Sequence, residues 1–172
     1  MRYLYLLLTI LLSSCDPHMI DNGRITAYVP IYVSKDEANF IGAETAKPTV
    51  LPGKIYAYGT YLFQVEQNHG IHIIDNSNPQ QAHKISFLNV PAASELAVKS
   101  GFLYTNNLDD LVVFDISDIV SPRLVNRVEK VFPQISQEYP PVNGAYFECV
   151  DPSKGVVVGW EEKLVENPKC RR

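Results

Sequence analysis

The chain of 172 residues lacks most of the features that would assign it to a functional class. It has no block of lysine and arginine, and its formal net charge is −4, so no nucleic-acid partner is expected. No apolar run approaches the roughly 20 residues that a membrane-spanning helix needs. Only three cysteines are present and none belongs to a CxxC pair, which argues against a zinc or dithiol redox site.

The short motifs of common catalytic sites are also missing. The sequence contains no Gly-x-Ser-x-Gly word, no phosphate-binding loop and no recognisable nucleophile–base pair, so no catalytic residue is assigned. The four histidines (His18, His69, His72 and His83) show no ligand spacing to the cysteines, and we expect neither a metal nor a cofactor. The sequence leaves open whether the protein is an enzyme and favours a non-catalytic one.

The N-terminus carries the first positive signal. Arg2 precedes ten uncharged residues, Tyr3 to Leu12, which is the layout of a signal peptide. The run ends in Leu12-Ser13-Ser14-Cys15, which resembles the lipobox of bacterial lipoproteins, where the signal is cut before a cysteine that becomes lipidated. We therefore expect a signal peptide over 1–14, lipid attachment at Cys15 and a tether over 15–25. The alternative is an ordinary signal peptide with an incidental cysteine near its cleavage site.

The two remaining cysteines, Cys149 and Cys170, allow two interpretations. An even remainder in an exported protein permits a disulfide between them. A buried strand cysteine together with a free cysteine in the tail is equally compatible with the sequence.

A repeat of about 40 residues runs through the middle of the chain. Its clearest words are Ile71-His72-Ile73-Ile74-Asp75 and Leu111-Val112-Val113-Phe114-Asp115. Each word is the third of four short segments that are rich in Ile, Val, Tyr and Phe and bounded by turn residues, which is typical of β-strands. Because the third segment is apolar on both faces, we expect covered faces and stacked sheets. Asp75 and Asp115 are predicted to accept backbone N–H bonds in the following turns rather than to line a cation site.

Both words are similar to the LVIVD repeat of bacterial proteins related to β-propellers, and residues 156–162 (VVVGWEE) strengthen the match. With the lipobox, the chain resembles LVIVD-repeat lipoproteins of Gram-negative bacteria. The resemblance implies a propeller-like fold and a lipid-anchored place in the cell envelope, with the outer membrane favoured over the inner one. It supplies no known catalytic residue. The motif residues are Ile71, Ile73, Ile74, Asp75, Leu111, Val112, Val113 and Asp115.

The predicted fold is all-β, with antiparallel four-stranded blades of a partial β-propeller: two full blades plus a half. A short N-terminal helix is expected from the capping box Ser34-Lys35-Asp36-Glu37. The predicted divisions are an N-terminal strand and helix over 26–53, blade 1 over 54–93, blade 2 over 94–130, a proline-rich loop over 131–144, and a partial third blade with a tail over 145–172.

Two and a half blades are too few to close a propeller, so some blade faces and strand edges are predicted to lack a neighbouring blade or strand. Propellers close with four or more blades, so we expect a short or truncated member of the family, or one that completes itself with another copy. The segments 146–150 and 156–160 are predicted to pair as a hairpin, whose strand at Trp160 would be an open edge. The expected partners are the membrane, through the lipid, and a second copy or another protein, through the open edge.

The expected function is that of a membrane-anchored, non-catalytic binding or interaction scaffold. An enzyme or enzyme subunit with a site at the propeller mouth is the alternative, as is a non-functional fragment of a longer LVIVD protein. Since one fold hosts many functions, only a site can decide between them.

Overall fold

The computed structural model describes residues 24–133 and 135–172, so the predicted signal peptide and Cys15 lie outside the described residues. Strands dominate this part of the chain, and the predicted all-β class is confirmed. The elements are β1 (Arg24–Val33), α1 (Lys35–Asn39), β2 (Gly42–Glu44), β3 (Pro52–Tyr58), β4 (Tyr61–Glu66), β5 (Gly70–Asp75), β6 (His83–Asn89), β7 (Leu96–Lys99), β8 (Phe102–Asn107), β9 (Asp110–Asp115), β10 (Arg123–Val128), β11 (Tyr146–Phe147), β12 (Val156–Glu166) and β13 (Cys170–Arg171).

The strands form three sheets. Blade 1 has the order β2-β6-β5-β4-β3, and blade 2 has the order β10-β9-β8-β7. In both blades consecutive strands pair antiparallel, as predicted, and β2 adds a fifth strand to blade 1. The helix α1 follows the predicted capping box, in which the Glu37 carboxylate accepts the N–H of Ser34.

Blades 1 and 2 pack face to face, and the core lies between them. Ile71 and Ile73 of blade 1 and Val112 and Phe114 of blade 2 are completely buried in this interface. Fully burying an aliphatic or aromatic side chain of this size contributes about 1.5–3 kcal/mol, so this interface is the main source of stability for the two blades. At one side the edge strands β3 and β7 also meet, where the Tyr56 hydroxyl donates to the carbonyl of Val98 over 3.2 Å.

The third sheet joins the two ends of the described chain. Its order is β12-β1-β11-β13, and β1 pairs antiparallel with β12 from Arg24 opposite Glu166 to Val33 opposite Val156. The predicted hairpin between residues 146–150 and 156–160 is wrong, because β1 lies between these segments and pairs with both. Gly155 permits this arrangement: its φ is 124°, and a Cβ there would lie 2.1 Å from the Val33 carbonyl oxygen.

Because β1 pairs with both β11 and β12, the two segments that were predicted to form half a blade belong to a larger sheet. β1 and β13 supply two further strands, so this sheet has four. β12 remains an outer strand of the sheet, but its apolar residues Val157 and Val158 are buried within the chain. The strand that carries Trp160 is therefore an edge of its sheet, as predicted, but its edge belongs to a four-stranded sheet and not to half a blade.

The C-terminal tail is fastened to the third sheet and to the proline-rich loop. The structure joins Cys149 to Cys170 in a disulfide, with their Cα atoms 5.2 Å apart. The Arg172 guanidinium lies 4.4 Å from the ring centre of Tyr139, and the Arg171 Nε donates to the Gly144 carbonyl. No helix in the described part of the chain has both the length and the hydropathy to cross a bilayer.

Candidate functional site

Blade 1 packs on blade 2 through one face and has an opposite, outer face. Because β2 and β3 are the two edges of its sheet, the residues that join them, 45–51, must cross from one edge to the other. We name residues 45–51 the crossing segment. The Lys84 Nζ, on β6, donates to the carbonyl of Lys47 over 2.9 Å, and the N–H of Val50 donates to Glu66, on β4, over 3.1 Å. The crossing segment therefore covers part of the outer face, where a propeller would stack another blade.

A buried carboxylate–imidazole pair lies beneath the crossing segment. His72, on β5, is completely buried, and its Nε2 is 2.8 Å from Oε2 of Glu66, which is 4% exposed. The Glu66 carboxylate also accepts the N–H groups of Val50 and Leu51. Burial raises the pKa of Glu66, but the N–H of Leu51, the His72 ring and the N–H of Val50 outweigh it and hold this pKa below its ordinary value.

Blade 2 shows what the carboxylate does structurally. Asn106 is the penultimate residue of β8, the second strand of its blade, and its Oδ1 accepts the N–H of Ser94 over 2.9 Å and that of Glu95 over 3.2 Å. In both blades this side chain therefore holds the segment that enters the first strand. Blade 1 does so with a charged group, and His72 accompanies it at the position that Val112 occupies in blade 2. Sequence reasoning missed this pair; the signal was a histidine inside an otherwise apolar strand.

A cleft of about 610 Å³ opens beside the pair. Its walls are the crossing segment, α1, the β4–β5 turn and the end of β6. Four carboxylates and one ammonium line it, together with an apolar surface to which two phenylalanines contribute. The lining residues are Val33, Asp36, Glu37, Phe40, Glu44, Lys47, Pro48, Val50, Glu66, Asn68, His69, Phe87, Asn89 and Pro91.

Several polar groups of the cleft are engaged by partners within the chain. Glu37 caps α1, Glu44 forms an ion pair with Lys47, and the Asn89 Nδ2 donates to the carbonyl of Phe40 over 2.7 Å. Both oxygens of Glu66 accept backbone N–H groups. A cleft with polar groups held in this way offers a preformed surface for recognition, with little reorganisation on binding.

The aspartates of the repeat words act in turns, as predicted. The Oδ1 atoms of Asp75 and Asp115 accept the N–H groups of Ser77 and Ser117, each over 2.8 Å. These backbone hydrogen bonds lower the pKa of both aspartates. Within residues 24–133 and 135–172, no group of three or more His, Cys, Asp or Glu residues is arranged to hold a metal ion.

The apolar motif residues lie in the blades and not in the cleft. Ile71, Ile73 and Val112 are completely buried and Val113 nearly so, while Ile74 and Leu111 are half-buried. The disulfide cysteines are in the third sheet and also lie outside the cleft. The structure thus separates the motif, which builds the blades, from the cleft, whose lining includes none of the predicted site residues that fall within the described ranges.

A family model of the LVIVD repeat matches residues 53–83 and 92–130. The first match spans β3 to the start of β6, and the second spans β7 to β10. No curated protein and no solved structure shows significant similarity to the chain. The chain therefore contains two LVIVD repeats, and they form its first two blades.

Proposed function

We propose that the protein is a non-catalytic binding module, anchored in the bacterial cell envelope by a lipid on Cys15, and that the cleft is its binding site. The observation that carries the binding role is the preformed cleft, in which Glu66 and Asn89 are held by partners within the chain. Its volume lies within the range of about 300–1,000 Å³ that is usual for sites of small ligands.

The geometry favours binding over catalysis at this site. A general acid or base must lie within hydrogen-bond reach of the group whose proton it transfers. The ring of His72 is completely buried, and the carboxylate of Glu66 is engaged by the backbone of Val50 and Leu51. The pair is therefore arranged to hold the crossing segment in place rather than to exchange protons with a substrate.

The anchor is supported by the lipobox-like Leu12-Ser13-Ser14-Cys15. Two or more acyl chains on one cysteine hold a protein stably on a membrane. Only eight residues separate Cys15 from Arg24, the first residue of β1, so the lipid would tether the molecule by its third sheet. The outer membrane is the proposed location, on family resemblance.

Ligand binding can be tested by thermal unfolding of the purified mature chain in the presence of fractionated envelope components. A ligand that binds only the folded state raises the melting temperature. We expect one fraction to do so for the unmodified chain and not for Val50→Lys, which places bulk and charge at the cleft mouth, where Val50 is 82% exposed. Val120→Lys is the matched control, because Val120 is 52% exposed and lies outside the cleft. No rise with any fraction, or equal rises in all three proteins, would contradict a binding role for the cleft.

The anchor has its own test. Mass spectrometry of the membrane fraction should find acylated Cys15 at the N-terminus of the mature protein. Cys15→Ala should release the protein from the membrane or leave its signal uncleaved. A mature protein that begins elsewhere and is found in the soluble fraction would show that the lipobox interpretation is wrong.

A further inference from the structure

We infer that the cleft takes an organic cation, an ammonium or guanidinium carried on an apolar body, and that Lys47 holds the position of this cation when no ligand is bound. This inference rests on the proposed function, because it names the ligand class of the same cleft.

The position of the cation is defined by an aromatic ring and a carboxylate. The Nζ of Lys47 lies 4.7 Å from the ring centre of Phe87 and forms an ion pair with Glu44. Phe87 and Glu44 sit directly opposite each other on the neighbouring strands β6 and β2. An aromatic face beside a carboxylate is an arrangement that binds ammonium and guanidinium groups.

The parts that recognise the cation are rigid, and the cation itself is replaceable. Phe87 is 2% exposed and lies in the middle of a paired strand, between His72 on β5 and Glu44 on β2. Lys47, in contrast, comes from the crossing segment, and its side chain is 46% exposed. A ligand ammonium can therefore take its place on Phe87 and Glu44 while the lysine side chain turns to solvent, without any change in the sheet.

The charge of the cleft selects the sign of the ligand. Asp36, Glu37, Glu44 and Glu66 contribute four carboxylates, against the single ammonium of Lys47. Grouped charges of one sign in a cleft attract ions of the opposite sign and repel those of the same sign. These carboxylates would repel an anionic ligand, which also could not form a cation–π interaction with Phe87.

The cleft mouth supplies the apolar contact. Phe40 is 50% exposed and Val50 is 82% exposed, although both are large apolar side chains next to a cavity. Pro48 and Pro91 continue the apolar lining. Exposed apolar side chains that border a concave site indicate contact with an apolar ligand group. The ligand therefore combines a cationic end, bound at Phe87 and Glu44, with an apolar body at the mouth.

The test is a titration followed by nuclear magnetic resonance, on the mature chain with Cys15→Ala so that it is free of lipid. Three probes share one ring and differ in charge: benzylamine, benzyl alcohol and benzoate. We expect benzylamine to bind most tightly, to shift the signals of Phe87 and Val50, and to bind less well as salt is added. Benzoate should cause no shift in the cleft.

Three variants tie the binding to the charges of the cleft. Asp36→Asn removes a surface carboxylate and should weaken benzylamine by about threefold. Lys47→Met removes the competing ammonium and should strengthen benzylamine by about three- to tenfold. Glu129→Gln removes a carboxylate outside the cleft and should leave the affinity unchanged. A dipeptide amide of phenylalanine and lysine is titrated in parallel. Its affinity relative to that of benzylamine shows whether the cleft prefers the cationic side chain of a peptide or a free amine.

The inference is overturned if benzoate or benzyl alcohol binds as well as benzylamine, if benzylamine causes no shift in the cleft, or if Lys47→Met leaves the affinity unchanged. Its failure can be told apart from failure of the proposed function. If an envelope fraction still stabilises the chain in a manner that depends on Val50, the cleft is a binding site and only the ligand class is wrong. If no fraction does so, the binding function itself fails.

Discussion

At the scale of single residues, the most unusual feature is a buried acid in contact with a buried histidine on the outer face of blade 1. Burying a carboxylate is costly unless hydrogen bonds and an opposite partner replace the lost water. Glu66 has such partners, since it accepts the N–H groups of Val50 and Leu51 and contacts His72. The backbone of the crossing segment is held at Val50 and Leu51 by this side chain, at Lys47 by Lys84, and at the Leu51 carbonyl by the N–H of Gln67. Glu66 thereby helps to keep the crossing segment on the outer face of blade 1, which a further blade would cover in a propeller.

Glu66 should make stability depend on pH. Its pKa in the folded protein is below its ordinary value of 4.5, so its contribution is present above that value and is lost as the pH falls through the folded pKa. Glu66→Gln keeps one acceptor, as Asn106 does, and should cost about 1 kcal/mol at neutral pH, whereas Glu66→Ala should cost about 3 kcal/mol. Urea unfolding of the three proteins at pH 7 and at pH values below 4.5 measures both effects. A difference between wild type and Glu66→Gln that stays the same at all pH values would refute the role given to this charge.

At the scale of elements, β1 decides how the third sheet is built. It pairs with β12 along ten positions and with β11 at Tyr28, and so it lies inside the sheet rather than at an edge. Ala27, in its middle, is 1% exposed, while the neighbouring Thr26 is exposed. At this point of the strand the face that carries Ala27 is covered and the opposite face, which carries Thr26, is exposed.

A matched pair of substitutions tests the position of β1. Ala27→Asp buries a charge that has no partner and should destabilise the protein by more than about 3 kcal/mol. Thr26→Asp makes a comparable change on the exposed side and should stay within about 0.5 kcal/mol of wild type. Denaturant unfolding gives both values. Similar effects at the two positions would mean that β1 is not packed as the structure has it.

The disulfide between Cys149 and Cys170 should fasten the tail in solution. The two cysteines are 21 residues apart, and closing a loop of that size contributes about 3 kcal/mol on the chain-entropy model. Alkylation of the denatured protein should find no free thiol at either position until a reductant is added. The double variant Cys149→Ala and Cys170→Ala should unfold at lower urea and should not respond to reductant. Two thiols that react without reduction would rule the bridge out.

At the scale of the whole molecule, pairing between strands that are close in the sequence could be predicted, whereas pairing between strands from the two ends of the described chain could not. The two blades were predictable, because each is a run of consecutive strands whose turns carry residues such as Asp75 and Asp115. The third sheet was not predictable, because its strands pair residues as distant as Arg24 and Glu166, and no sequence motif relates the two segments. The cleft also escaped prediction, since it depends on which sheet edges β2 and β3 occupy and hence on where the crossing segment runs.

Self-association is expected from the sequence at the open edge of Trp160, and β10, an edge strand of blade 2, offers a second surface for it. Leu124, Val125 and Val128 of this edge strand are 43–50% exposed, and its arginines are paired with Asp110 and Asp115, so the patch does not repel a second copy. A β-bulge near Val125 disfavours strand addition, so we expect contact through side chains.

Light scattering across a dilution series should show a mass that rises with concentration. Val125→Lys should abolish the rise, and Val142→Lys, in the proline-rich loop and 47% exposed, should leave it. A monomer at every concentration would end this hypothesis.

Crosslinking in intact cells can show whether the cleft binds a component of the envelope. A photoreactive phenylalanine analogue would replace Val50 at the cleft mouth or, as the control, Val120, in the full-length protein. If the cleft is the binding site, position 50 should give one discrete adduct, found in the membrane fraction, and position 120 should give none. No adduct from position 50, or the same adducts from both positions, would contradict it.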